Sequence, residues 1–220
     1  MFLQQLLHRF KWASYLLIIT ACFMSCDSQA QSIKKASKNM NTTNGLSVAT
    51  FAAGCYWCVE AQFQQLKGVE KIESGFMGGD VPNPTYEQVC TGTTNHAEVC
   101  NIYYDTNVIS YDELVEAFFW AHDPTQLNRQ GNDIGTQYRS AIFYRTAEEQ
   151  EKAHYYIQQL MQQEVFGAPI VTEVSPASEF YIAPDYHENY YNLNPNQGYC
   201  QFVIKPKLEK FKKAFANKLK

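Results

Sequence analysis

An apolar run, Leu46-Ser47-Val48-Ala49-Thr50-Phe51-Ala52-Ala53, stops at Gly54 and gives way to Cys55-Tyr56-Trp57-Cys58-Val59-Glu60. A short apolar run bounded by glycine fits a buried strand, and Val59 to Leu66 reads as a helix. The chain must therefore bury a strand and cover it, with Cys55 at the turn between strand and helix. Free backbone N–H groups and the helix dipole at such a turn favour a thiolate over a thiol. A second cysteine three residues on is near enough to close a disulfide with it.

The rest of the chain repeats the alternation of strand and helix. Lys67-Gly68 ends the helix, and Val69 to Phe76 reads as a strand. Gly75, Gly78, Gly79, Pro82, Asn83 and Pro84 mark a loop, and Glu98 to Tyr104 reads as a second strand. Ser110 and Glu113 have capping-box spacing, ahead of a helix with Leu114, Phe118 and Ala121 on one face. His122 to Tyr138 is a long polar loop, and loops of that length are usually functional. Arg139 to Tyr144 reads as a strand. Thr146 and Glu149 make a second capping box, for a helix reaching about Gln163 with Tyr156, Ile157, Leu160 and Met161 inward. Pro169 to Val174 and Gln201 to Ile204 read as short strands around an irregular, tyrosine-rich stretch at 178–199. Pro206 starts a terminal helix with Leu208, Phe211, Phe215 and Leu219 at helical spacing. No glycine-rich phosphate loop and no internal repeat occur. The expected fold is a single α/β (α+β) domain, a two-layer sandwich of helices on a mixed sheet.

The N-terminal region differs in kind. His8, Arg9 and Lys11 precede an apolar stretch from Trp12 to Met24, which is shorter than the ~20 residues a membrane-spanning helix needs. It reads as a secretory signal peptide over 1–26. Cys22 and Cys26 both end lipoprotein-like boxes, and Ser28-Gln29-Ala30 is an alternative cleavage site. Lipidation at Cys26 is expected, because a polar tract begins just after it. Residues 27–45 are polar, without hydrophobic period, and read as a tether. Residues 46–220 are left as the catalytic domain, enough for one sizeable core. The protein is therefore expected to be exported to the cell envelope or periplasm as a membrane-anchored lipoprotein. Loss of the leader leaves 16 basic against 22 acidic residues, a net charge of about −6. Lys205 to Lys220 holds the one basic cluster and reads as the end of an amphipathic helix, so nucleic acid is not an expected partner.

Seven cysteines are present, and five of them, Cys55, Cys58, Cys90, Cys100 and Cys200, lie beyond the leader. An odd number suits one working pair with buried thiols better than a static disulfide framework. Zinc would need two further ligands, and Cys90 and Cys100 are too far apart to supply a close pair. Between Cys55 and Cys58 stand Tyr56 and Trp57, bulky rings that suit a pocket for a small apolar group. By period-two alternation Glu98 shares a strand face with Cys100, Ile102 and Tyr104. A carboxylate desolvated there would hold a proton near neutral pH. His96 reads as structural. Asp133 and Tyr138, in the long loop, could direct bonds at a polar substrate oxygen or satisfy the loop itself. Tyr86 follows a turn set by Pro84.

At these residues the chain resembles the A-type peptide methionine sulfoxide reductases. The matching segments are Gly54-Cys55-Tyr56-Trp57, Asn83-Pro84-Thr85-Tyr86, His96-Ala97-Glu98, Arg129-Gln130-Gly131-Asn132-Asp133, Gly135-Thr136-Gln137-Tyr138-Arg139-Ser140 and Gly198-Tyr199-Cys200. The resemblance implies a ferredoxin-like plait and reduction of methionine S-sulfoxide, in proteins and free, as repair of oxidative damage. It implies Cys55 as nucleophile and Glu98 as proton donor. Tyr86, Tyr138 and Asp133 would hold the sulfoxide oxygen, and Tyr56 and Trp57 the methyl group. Cys58 would resolve the Cys55 sulfenic acid to a disulfide, with Cys200 as a possible relay. A thioredoxin-like dithiol would then reduce the pair. No metal or organic cofactor is implied, and the enzyme is expected to act as a monomer. Family members usually carry Phe at Tyr56 and Gly at Asn95. The rival reading is an envelope thiol–disulfide oxidoreductase. A third is a tethered aromatic binding module in which the cysteines are structural.

Overall fold

The computed structural model describes residues 45–220, with the backbone of Thr42 and Thr43. The leader, Cys22, Cys26, Ala30 and most of the tether lie outside the described residues. Strand β1 is Thr42–Thr43 and pairs antiparallel with β2, Leu46–Ala53. Helix α1 is Tyr56–Phe63, followed by β3, Val69–Met77, and the short helix α2, Tyr86–Cys90. Then come β4, Ala97–Tyr104, and α3, Tyr111–Ala121. The long loop holds a small hairpin, β5 Arg129–Gln130 with β6 Asp133–Ile134, and a single 3-10 turn at Thr136–Tyr138. Strand β7 is Ser140–Tyr144, α4 is Ala147–Gln162, β8 is Glu173–Pro176 and β9 is Tyr181–Ile182. The chain ends with α5, Tyr190–Leu193, a π-helical turn at Cys200–Ile204, and α6, Lys205–Ala214.

The main sheet runs β8-β7-β2-β4-β3-β9. Every pair is antiparallel except β7 with β8, so the sheet is mixed, as expected. Strands β2 and β4 sit at its centre and are buried on both faces, which explains their nearly continuous apolar sequence. One face carries the main core, where Phe51 and Ile102 meet Phe63 of α1, Phe118 of α3 and Phe211 of α6. The other face carries a smaller cluster of Ala52, Met77, Ala97, Val99, Ala141 and Phe143, covered by Ala177 and Phe180.

The capping signals behave as local chemistry predicts. Ser110 accepts from Glu113 N–H while the Glu113 carboxylate takes the Ser110 N–H. Thr146 accepts from Glu149 N–H, and the Glu149 carboxylate reaches back to the N–H of Arg145 at 2.6 Å.

Four local expectations fail. Helix α1 starts three residues before Val59, because Cys55 itself caps it and the Cys58 N–H bonds to the Cys55 carbonyl at 3.0 Å. The strand expected at Pro169–Val174 lies later, at Glu173–Pro176, where β7 offers an edge. Gln201 to Ile204 has β-prone residues but no strand partner; it forms the π-helical turn leading into α6. Met161 is 48 % exposed, because the buried stripe of α4 runs through Ala153 and Leu160 and ends there.

Candidate active site

The nucleophile turn is built by close approach. Gly54 has φ +86°, and a Cβ there would lie 2.6 Å from the Gln130 side chain. Gln130 is itself clamped by the backbone of Asp123, accepting from its N–H and donating to its carbonyl. The Arg129-Gln130-Gly131 motif thus presses the long loop against the turn that carries Cys55. Cys55 is 8 % exposed and caps α1.

The expected resting thiolate on Cys55 is not what this environment favours. Burial pushes the Cys55 thiol well up, the bond to Cys58 and the charge of Glu98 add to this, and only the Trp57 N–H works against them. Another N–H at the helix start, that of Tyr56, is given instead to Glu98 Oε2 at 3.1 Å. Cys58 is shifted the other way. The bond with Cys55 lowers it, against burial, and the Lys207 charge helps. The two thiols titrate as one coupled pair, in which burial and the bond between them make Cys58 the more acidic member.

Glu98 is 3 % exposed, and burial raises its pKa to about 8 against the lowering bond from Tyr56 N–H. It is a carboxylic acid at neutral pH. In that state it no longer contributes the negative charge that lifts the Cys55 thiol. Asn95, two residues before Ala97, takes φ +57°, a left-handed conformation asparagine tolerates where the family usually has Gly. His96 accepts from Gly79 N–H through Nδ1, so Nε2 bears the hydrogen and donates to the Val81 carbonyl at 2.8 Å. It is structural, as expected.

Tyr86 is the first residue of α2. Asn83 has φ +48°, and Thr85 and Gln88 form a full capping box behind Tyr86. Burial first, and Cys90 one turn on, push its pKa up, so it stays a hydrogen-bond donor. Tyr138 is held from the other side. Thr136 donates to the Gly92 carbonyl at 3.0 Å, Gln137 to the Cys90 carbonyl at 3.3 Å, and Arg139 to the Asn95 carbonyl at 3.0 Å. Burial first, then Glu98 and Cys55, push the Tyr138 phenol up, so it stays a hydrogen-bond donor. The charges of Glu98 and Cys55 both reach Tyr86 and Tyr138, and the charge of Asp133 reaches Cys58, Glu98 and Tyr138, so the predicted residues gather around one spot.

Tyr56 and Trp57 part company. Tyr56 is buried against Phe76 and His187, and its hydroxyl finds no protein partner. Trp57 is half-buried and stacks flat on Tyr190, with ring centres 3.6 Å apart and 3° between planes. Its Nε1–H donates to His187 Nδ1 at 3.1 Å. Asp133 does not satisfy its own loop: it accepts from the Tyr199 hydroxyl at 2.6 Å, and that hydroxyl lies 3.9 Å from Cys58 Sγ.

His187, Tyr190 and Tyr199 had no site role in the sequence reading; their one signal was the density of tyrosines at 178–199. Cys200 is fully buried, and the charge of Cys58 raises its pKa after burial does, so it lies near the pair. Cys100 is a buried thiol near the Tyr56 carbonyl and Ser74 hydroxyl, as expected of a small core residue. All five cysteines are free thiols, and among the described residues no group of three His, Cys, Asp or Glu side chains is placed to hold a metal.

A sequence model described as peptide methionine sulfoxide reductase matches residues 47–219. The peptide methionine sulfoxide reductase MsrA of Deinococcus radiodurans is 55 % identical over 172 residues, 78 % of this chain and 84 % of that protein. The MsrA of Acinetobacter baumannii is 54 % identical over 172 residues, covering 98 % of its length and 78 % of this chain. Among solved structures, methionine sulfoxide reductase A of Corynebacterium diphtheriae superposes with a TM-score of 0.64 at 39 % identity, covering 76 % of this chain and 82 % of that one. Reduced Mxr1 of Saccharomyces cerevisiae gives 0.67 at 32 % identity, covering 73 % of this chain and 92 % of its own. With the cysteine, the buried acid and the converging tyrosines in place, the chain belongs to the peptide methionine sulfoxide reductase family.

Proposed function

We propose that this chain reduces methionine S-sulfoxide, in proteins and as the free amino acid, to methionine. The observation that carries the reading is the buried Glu98 carboxyl bonded to the N–H of Tyr56, next to Cys55, with burial raising its pKa to about 8. A sulfoxide sulfur is a poor electrophile until its oxygen is protonated. Cys55, once its proton is lost, attacks that sulfur while the Glu98 proton goes to the oxygen. The hydroxyl then passes to Cys55 Sγ: its bond to the substrate sulfur and the new bond between that sulfur and Cys55 both break, methionine leaves with two electrons gained, and Cys55 is left as a sulfenic acid. Tyr86 and Tyr138 are the donors that orient the oxygen, and Trp57 walls the methyl group. Cys58 then attacks the Cys55 sulfenic sulfur, water leaves, and a disulfide forms. Its i,i+3 position and the lowering of its thiol by the bond with Cys55 support Cys58 over Cys200 as first resolver. An external thioredoxin-like dithiol takes the disulfide back to two thiols.

The strand order β7-β2-β4-β3, with α1 between β2 and β3 and α3 between β4 and β7, supports a ferredoxin-like plait as its frame. Export as a Cys26 lipoprotein, with residues 27–45 as tether and a monomeric catalytic domain beyond, completes the proposal. It rests on the leader sequence. Incubation with dithiothreitol and a mixture of sulfoxide epimers, analysed chirally, tests the chemistry. Loss of the S epimer alone is expected; no loss of either would sink it. Mass spectrometry of the mature N-terminus tests the anchor, and cleavage after Ala30 would remove it.

A further inference from the structure

Glu60 is 5 % exposed and lies three residues after Trp57, on the same face of α1. Its Oε1 accepts from the Asn189 N–H at 2.7 Å, across 129 positions of sequence, and the Tyr190 N–H also bonds to this carboxyl. Its Oε2 is buried without a partner. The segment it grips is short, with Asn192 bonded to the Asn189 side chain at 2.6 Å and Asn194 to the Tyr190 carbonyl at 3.0 Å. Helix α5 is four residues long, far too short to stand alone. Its N-cap, Asn189, is in the left-handed region at φ +52° and makes no side-chain capping bond. The two N–H groups at the start of α5 therefore find their acceptor on another helix. Trp57 touches the same segment twice, through His187 and through the flat stack on Tyr190.

We infer that Glu60 is a positioning residue for substrate binding: by capping the Tyr190–Leu193 helix from outside, it fixes Tyr190 and, through the stack, the Trp57 indole. The inference rests on the reading of Trp57 as the wall of the methyl pocket. It accounts for a buried carboxyl, with one oxygen unpartnered, on the helix that carries the nucleophile. Burial and the neighbouring Glu188 raise its pKa to about 7 even against two N–H bonds, which marks the cost of keeping it there.

The test uses the full chain in four forms: wild type, Glu60→Ala, Glu60→Asp and Glu60→Gln. Each is assayed for KM and for the rate of Cys55 oxidation at saturating methionine sulfoxide. Glu60→Ala is expected to raise KM about tenfold, the loss of one charge-assisted bond, with the saturated rate within about twofold. Glu60→Asp keeps the charge but withdraws the acceptor, and is expected to follow the alanine variant. Glu60→Gln keeps an acceptor and is expected to restore KM. In parallel, Trp12→Phe and Trp120→Phe leave Trp57 as the one tryptophan, and its emission is expected to shift in Glu60→Asp but not Glu60→Gln. Tyr190→Ala is expected to reproduce the KM change, and adding it to Glu60→Asp should worsen nothing further. Unchanged KM and emission in Glu60→Asp would overturn the inference, as would additive effects with Tyr190→Ala. Absence of turnover in the wild type would instead overturn the functional reading, while the emission test would still decide the role of Glu60.

Discussion

The Tyr56 N–H donates to Glu98 Oε2 at 3.1 Å, tying the proposed acid to the helix that the proposed nucleophile caps. One bond across 42 positions of sequence thus sets acid and sulfur side by side. Its consequences are chemical, because each group's protonation depends on the other.

The pH dependence follows directly. Glu98 must be protonated to serve as the acid, and its pKa is about 8. The rate of Cys55 oxidation at saturating substrate should therefore rise with pH while the Cys55 thiol loses its proton, and stop rising through about 8, where Glu98 ionises. The ionised acid both lacks the proton and lifts the Cys55 thiol. Glu98→Ala should cost about 10²- to 10⁴-fold and abolish this break. Rapid-quench measurements across pH 6 to 9, an interval of about one unit or more on either side, would show a rate insensitive to Glu98 if the assignment is wrong.

Cys58→Ser should let the Cys55 sulfenic acid accumulate, trappable with dimedone, while the first methionine is released at the wild-type rate. Should a Cys55–Cys200 disulfide form as fast as the wild-type disulfide does, Cys58 is not the first resolver.

The Tyr199 hydroxyl bridges Asp133 and Cys58. Tyr199→Phe removes the bridge but keeps the ring that packs on Trp57. The charge-assisted bond lost is the one to Asp133, whose charge disfavours a Cys58 thiolate, so disulfide formation should slow about tenfold with sulfenic acid formation little changed. Stopped-flow separation of the two steps decides it; equal slowing of both would count against this role.

Tyr56→Phe should stabilise the fold by about 1 kcal/mol, because the hydroxyl is buried with no protein partner. A drop in thermal midpoint would mean that the hydroxyl does find a partner.

Burial depresses both His122 and His187 to about 4 from an ordinary 6.5. A base whose folded pKa is depressed is neutral when folded, so the stability it lends is complete above about pH 6.5. It is lost as pH falls toward 4, where the unfolded chain takes up protons the folded chain refuses. Between about pH 7 and 5 the raised Glu98 and Glu60 carboxyls pull stability the other way, so the histidine share is read as a difference: His122→Gln should make the change in thermal midpoint over that window less downward than in the wild type. A slope unchanged by the substitution would remove His122 from the account.

Much of the local architecture was readable from spacing. Ser110 with Glu113 and Thr146 with Glu149 start helices because the capping bonds join residues three apart. The Gly54 turn was readable because an apolar run met a glycine. Gln201 to Ile204 was misread for the complementary reason. Strand propensity is realised only where another strand offers its edge, and a π-helical turn formed instead. Cys55 as a thiolate was likewise a local argument, from helix-end N–H groups, and long-range burial outweighed it.

By itself the sequence determined the alternation of elements, the pairing of Cys55 with Cys58 three residues on, and the residues that mark the family. Those features depend on neighbours within a turn or two of chain. Tertiary structure alone decided who meets whom: Glu98 with Tyr56, Tyr199 with Asp133 at a separation of 66, Glu60 with Asn189 at 129 and Trp57 with His187 at 130. It also decided which groups keep their protons, because a pKa is set by desolvation and by charges brought near through folding, and neither has a signature in local spacing.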